Sequence, residues 1–164
     1  MASRLWCEAV GRAGAVSVAG AAGQRSCEPS GGHATLACMD SERFVRQMWD
    51  AWSNGNFDEV ATAFAPDARW RAVEDGPWNC ESRAQIVRVM RENRQRRGAP
   101  AGTIEEVTDV GGRILVGFRP DSPRSDGWPL ENGIRYVVLT VKDGLVTEMK
   151  GCASRQAALD HAAA

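Results

Sequence analysis

The chain has 164 residues, 43% hydrophobic and 25% charged, with a formal net charge of -1; these values fit one globular domain with a tail. A near-neutral chain has no long-range field to hold nucleic acid or an anionic membrane, and no run of 18 apolar residues is present to span a bilayer. The only histidines are His33 and His161, which removes most imidazole-based metal sites and neutral-pH proton shuttles.

Residues 1–38 differ from the rest. Ala, Gly and Ser fill 19 of these 38 positions, too little apolar bulk to offset the entropy of ordering. The segment reads as a disordered tail, or as an extension ahead of a working start at Met39. Its most apolar stretch, Ala15–Ala22, lacks Leu, Ile and Phe, so it makes a poor secretory signal. The spacing Cys27-x5-His33-x4-Cys38 matches no usual zinc pattern, and no metal is expected. Residues 39–164 read as the domain, with 17 basic and 19 acidic groups. Its two cysteines, Cys80 and Cys152, fit a reduced, cytoplasmic protein.

In chain order, Asp40 or Ser41 caps a first helix running to about Ser53, with Phe44, Val45, Met48, Trp49 and Trp52 on one face. Asn54-Gly55 stops it. Asn56-Phe57-Asp58-Glu59 resembles a capping box for a short second helix that buries Phe57, Val60, Ala61 and Phe64 and ends at Pro66. Asp67 to Glu74 reads as a strand with Trp70 and Ala72 on one side. Asp75-Gly76-Pro77 is turn sequence. Ser82-Arg83-Ala84-Gln85 opens a third helix that runs to about Arg97 and closes at Gly98 and Pro100. Its stripe is Ile86, Val87, Val89 and Met90, and its six arginines (83, 88, 91, 94, 96 and 97) read as a solvated face. The period then changes to two. Thr103–Val110, Arg113–Phe118, Ile134–Val141 and Leu145–Gly151 read as strands, with tight turns at Gly111-Gly112 and Asp143-Gly144 and a longer loop at Pro120–Pro129. A helical turn or two from Ser154 to about His161 ends the chain. Three early helices over a late meander make an α+β fold: a curved antiparallel sheet with the N-terminal helices on its concave face, leaving a cone-shaped cavity.

This order, together with Asn54-Gly55-Asn56-Phe57-Asp58-Glu59, Phe64-Ala65-Pro66-Asp67-Ala68-Arg69-Trp70 and Val141-Lys142-Asp143-Gly144-Leu145-Val146, resembles the nuclear transport factor 2-like superfamily, the cystatin-like cone. It is most similar to the SnoaL-like, small-polyketide-cyclase branch over roughly residues 40–160. The resemblance implies a pocketed domain, often a homodimer through the sheet, seen in isomerases, cyclases and dehydratases and in non-catalytic binding modules. The ketosteroid isomerase machinery does not carry over. Laying the motifs on this chain puts Ala72 at the base position and Met48 and Val137 at the two oxyanion-hole positions, and none of these exchanges a proton or donates a hydrogen bond. Dehydratase chemistry resting on pocket histidines falls as well, since the domain has only His161.

The remaining candidates are few. Glu74 and Asp75 follow the first strand, where the rim of a cone lies, and either is a candidate base; ordinary turn sequence accounts for the same pair. Arg135 and Tyr136 are candidates for polarising a carbonyl oxygen, but alternation lets at most one of them face the cavity, and a surface ion pair on the sheet's outer or dimer face accounts for the arginine equally well. A cavity-facing Arg135 needs a carboxylate from Glu74, Glu131 or Glu148, or an anionic ligand. Trp49, Trp52, Trp70, Trp78 and Met149 are candidate walls for a flat ligand, or plain core. Cys80, at a helix start, is a weak candidate for an activated thiol. The reading is a SnoaL-like pocket for a small apolar or polyketide-like molecule, working without a cofactor as an isomerase or cyclase on a carbonyl compound. The alternative is a non-catalytic binding or dimerisation module of the same fold.

Overall fold

The structure is a computed structural model and describes residues 40–76, 78–121 and 130–164. The reading of 1–38 as a tail, the start at Met39 and most of the Pro120–Pro129 loop lie outside the described residues. Helix α1 spans Ser41–Asn54 and α2 spans Phe57–Thr62; strand β1 is Phe64–Arg71 and helix α3 is Arg83–Arg97. Strands β2 (Gly102–Val110), β3 (Arg113–Pro120), β4 (Arg135–Lys142) and β5 (Leu145–Cys152) follow, then helix α4 (Arg155–Ala163).

Local chemistry sets most boundaries. Asp40 accepts from the Arg43 backbone N–H at the start of α1, and Gly55, at φ 76°, supplies the left-handed turn that ends it. Ser82 Oγ accepts from Gln85 N, and Gln85 Oε1 accepts from Glu81 N. The Asn56 box differs from expectation: its side chain does not cap the helix but donates to Glu59 Oε2 at 2.6 Å. Helix α2 also stops earlier, at Thr62, and the first strand begins and ends three residues sooner than its sequence suggests. Tertiary pairing takes over there. Val146 N donates to Ala63 O at 2.8 Å, and Phe64, fully buried, pairs with Val146. Pro66 is tolerated inside β1 because β1 is an edge strand.

The sheet order is β1-β5-β4-β3-β2. The last four strands form the expected antiparallel meander, and β1 joins its β5 edge in parallel, which makes the sheet mixed. The register shifts at Phe64/Arg69, Ile104/Glu106 and Thr140/Val141 are bulges or irregularities of pairing, and such breaks bend strands; the sheet is curved and unclosed. Its two faces bury different cores. On the concave face Trp70, Ile104, Val116, Val137, Leu139 and Met149 meet α1, α2 and α3. On the outer face Leu115, Tyr136, Val138 and Cys152 pack under Ala158 and Ala162 of α4.

Helix α4 is fastened to that outer face. Ser154 caps it, Glu131 Oε2 accepts from Arg155 N at 2.7 Å, Arg155 grips the Glu106 carboxylate with both Nε and Nη2, and Arg113 donates to the His161 carbonyl. The Arg155 fork holds the Glu106 carboxyl below the ordinary carboxylate range. Several arginines of α3 likewise have partners within the chain rather than forming only a solvated face. Arg94 donates to the Trp52 and Ser53 carbonyls at the end of α1, the Arg91 guanidinium stands 5.0 Å over the Phe57 ring, and that of Arg97 stands 5.7 Å over Trp78.

Candidate functional site

A cavity of about 310 Å³ lies between the concave face and helices α1 and α3, at the lower end of the size range of small-molecule sites. Its origin is steric. Helix α1 presents Val45, Met48, Trp49 and Trp52 to the sheet, and bulky rings hold the helix away from the strands. Trp49 and Trp52 meet edge to face at 5.5 Å between centroids, and Trp49 also touches Phe118 of β3 at 5.3 Å. On the other wall Trp70 and Trp78 tilt against each other at 6.3 Å. All four candidate tryptophans line the cavity, and so does Met149.

Register tells the two ends of the cavity apart. Trp70 pairs with Met149, which pairs with Leu139; Arg71 pairs with Lys150, which pairs with Val138. A step forward along β1 is therefore a step back along β4. The chain leaving β1 travels toward the level of Arg135, at the start of β4. Ala72, Val73, Glu74, Asp75 and Gly76 line this end with Trp78. Leu139, Met149, Val45 and Met48 supply its apolar remainder.

The turn after β1 is well tied. Trp70 and Cys80 exchange backbone hydrogen bonds of 3.0 and 2.9 Å, which tie the two ends of the turn together. Asn79 organises the interior of that turn: its Oδ1 accepts from Ala72 N at 2.8 Å, and its Nδ2 donates to Asp75 Oδ1 at 3.0 Å. Lys150 Nζ donates to Ala72 O at 2.9 Å, and Arg71 forms a two-pronged ion pair with Glu81. Glu74 and Asp75 both border the cavity and both are exposed. They stand on the rim, not in a dry interior.

Arg135 and Tyr136 separate as alternation requires. Arg135 is 6% exposed and lines the cavity. Tyr136 belongs to the opposite face, in the cluster beneath α4. Burial, with Glu106 and Glu131 nearby, pushes its phenol pKa up. Tyr136 is therefore not among the residues that line this cavity. Of the other carboxylates, Glu131 accepts from Arg155 N, and Glu148 lies 3.7 Å from His161 Nε2.

Cys80 belongs to the core. It is 1% exposed, its Sγ faces the Trp78 carbonyl, and burial pushes its thiol pKa up, so the helix start does not activate it. Cys152 lies in the outer core and Cys80 in the inner one, and both are free thiols. The positions matching the isomerase machinery, Ala72, Met48 and Val137, all line the cavity. The alignment of motifs thus finds the right wall, and that wall is apolar.

One lining residue escapes the hydrophobic pattern. Ile86 and Met90 are the buried residues of α3, and Asn93 continues their row three residues on, at the cavity wall. Asn93 Oδ1, Trp52 Nε1 and Trp70 Nε1 are buried atoms without a hydrogen-bond partner among the described residues. The signal in the sequence is a polar residue at a core-stripe position. Among the described residues no group of three or more His, Cys, Asp or Glu is placed to hold a metal ion, and no helix is long and apolar enough to cross a membrane.

Comparison with known proteins agrees with this architecture. A candidate polyketide cyclase from Sinorhizobium meliloti is 22% identical with a TM-score of 0.51, covering 66% of this chain and 93% of its own. A cystatin-fold protein from Novosphingobium aromaticivorans is 17% identical, with a TM-score of 0.54 over 69% of this chain and 97% of its own. A protein of ketosteroid isomerase-like fold from Catenulispora acidiphila, solved with trimethylamine, is 17% identical with a TM-score of 0.53 over 74% and 93%. No match was found among curated proteins. The SnoaL-like domain family matches residues 45–149, a span that contains every wall of the cavity, and the chain belongs to that family.

Proposed function

We propose that the domain binds a small, mostly apolar carbonyl or carboxylate compound in the cone, apolar end inward, with its oxygen at Arg135. The observation that carries this is a buried guanidinium in the wall of a cavity whose lining is mostly indole and aliphatic. A guanidinium carries five N–H donors, so one in the wall can serve an acceptor oxygen of an occupant besides its partners in the chain. The resemblance to a candidate polyketide cyclase supports the ligand class. As an enzyme the domain would perform cofactor-free proton transfer, isomerisation or cyclisation. Glu74 or Asp75 would be the base at the rim and Arg135 would hold the developing oxyanion.

A second reading, binding without turnover, is favoured by a specific observation. The cavity positions that match the isomerase machinery are Ala72, Met48 and Val137, none of which handles a proton. The homodimer implied by the resemblance would have to form around α4, which covers part of the outer face; sedimentation measures whether it does. Thermal-shift screening against steroid and polyketide panels, followed by turnover assays on each hit, separates the two main readings. Turnover that falls in Glu74→Gln or Asp75→Asn supports the enzyme. Saturable binding with no turnover supports the binding module. No stabilising hit in either panel counts against both.

A further inference from the structure

The cavity has a closed end. On β4 its wall runs Arg135, Val137, Leu139, a depth of about 13 Å at the ordinary strand rise. Val141, next on the same face, is buried and does not border the cavity; neither do Ile114, the β3 partner of Leu139, nor Val146 and its β1 partner Phe64. These buried side chains fill the cone at and behind the paired Leu139 and Met149, so that pair is its floor. At the other end Glu74 and Asp75 are exposed, and apolar surface carried past them stays in water. Volume gives a second limit. An apolar cavity of about 150 Å³ holds a benzene ring, so one of about 310 Å³ holds two fused rings and not four. Two tryptophan pairs, Trp49 with Trp52 and Trp70 with Trp78, border the space, and indole faces and edges suit a flat body.

We propose that the cone accepts a flat two-ring body, a naphthalene-sized carbonyl or carboxylate compound, and that Met149 in the floor sets this limit. This deepens the proposed function and rests on it, because the depth limits only a molecule whose oxygen is at Arg135 and whose rings point inward. A one-ring ligand leaves lining uncovered and forfeits the burial of a second ring. A three-ring ligand in the same orientation drives its last ring into the floor, where overpacking is costly. Sliding outward instead, it leaves Arg135 and wets the extra ring. Of the two floor residues, Met149 keeps 7% of its surface accessible and Leu139 none, so Met149 is the one an occupant touches. Shortening it lengthens the cavity and leaves Arg135 and the tryptophans in place.

Three probes of rising length test this: benzoate, 2-naphthoate and anthracene-2-carboxylate. Equilibrium dialysis measures each against the wild-type protein, Met149→Ala and the milder Met149→Val, with circular dichroism showing that each variant is folded. In wild type 2-naphthoate should bind roughly tenfold tighter than benzoate and roughly tenfold tighter than the three-ring acid. In Met149→Ala the gap between the three-ring acid and 2-naphthoate should close, and in Met149→Val it should narrow. The ratio within each protein is the readout, so a general weakening caused by the altered floor does not imitate the effect. Wild type that binds the three-ring acid, or benzoate, as tightly as 2-naphthoate overturns the two-ring limit while leaving the pocket standing. A ratio unchanged in the folded variants overturns the role of Met149. Failure of all three probes to bind overturns the carboxylate pocket and the size limit together.

Discussion

The two faces of the sheet share strands yet solve opposite packing problems. Along β4 the residues alternate, with Arg135, Val137 and Leu139 toward the helices α1 and α3 and Tyr136 and Val138 toward α4. The outer helix meets the sheet with Ala158 and Ala162, side chains small enough for close approach, and the layer is filled. The inner helix meets it with Met48, Trp49 and Trp52. Rings of that size hold the backbone off the sheet, and the curvature from the register shifts widens the gap. Side-chain volume on the covering helix thus decides which face becomes core and which becomes container.

The largest expected effect distinguishes filled from hollow by stability. Leu115, fully buried on the outer face, has packing on all sides, so Leu115→Ala should cost about 2–5 kcal/mol in urea unfolding. Met149 borders the cavity, so part of its surroundings is already void. Met149→Ala should cost less than Leu115→Ala, under about 2 kcal/mol. Equal losses would contradict the asymmetry.

Next in size is a filling mutation. Ala72→Trp places an indole at the rim end of the cavity while leaving the Ala72 backbone bonds to Asn79 and Lys150 in place. Binding of 2-naphthoate measured by equilibrium dialysis should fall at least tenfold, with the unfolding midpoint little changed. Arg135→Met should weaken the same probe by roughly ten- to hundredfold, the worth of a hydrogen bond to a charged group, and should weaken uncharged naphthalene far less. A uniform loss for both molecules would mean that Arg135 only shapes the wall.

The smallest effect belongs to the outer face. The Arg155 fork lowers the Glu106 carboxyl, so its stabilisation is complete above the ordinary carboxylate range and is lost as pH falls through the depressed value. Glu106→Gln should lower stability at neutral pH and flatten its decline in acid. The inner cavity should respond little to this change, which a ligand titration at pH 7 checks.

The sequence shows the architecture more clearly than the site. Helix α1 and the meander carry strong periodicity, helix α3 carries clear caps, and their observed ends lie close to the expected ones. Strand β1 shifts because its partner β5 arrives some eighty residues later, and no local pattern encodes that parallel pairing. The aromatic wall is legible because Trp49, Trp52 and Trp70 sit at helix and strand spacing. Tyr136 could be separated from Arg135 by parity, but only the fold says which parity faces the cavity. Asn93 escapes because a hydrophobic-stripe search passes over polar residues, and its interest lies in being polar in that row. Glu74 and Asp75 are found at the rim, where exposure leaves them available to an entering ligand without drying their surroundings.

The most direct test of the hollow cone is calorimetric titration of the wild-type protein with 2-naphthoate at two temperatures. The account predicts saturable binding at one site per chain with a negative heat-capacity change, the mark of apolar surface leaving water. Absence of saturable heat at both temperatures, with the protein folded, would mean that no usable cavity exists behind β1.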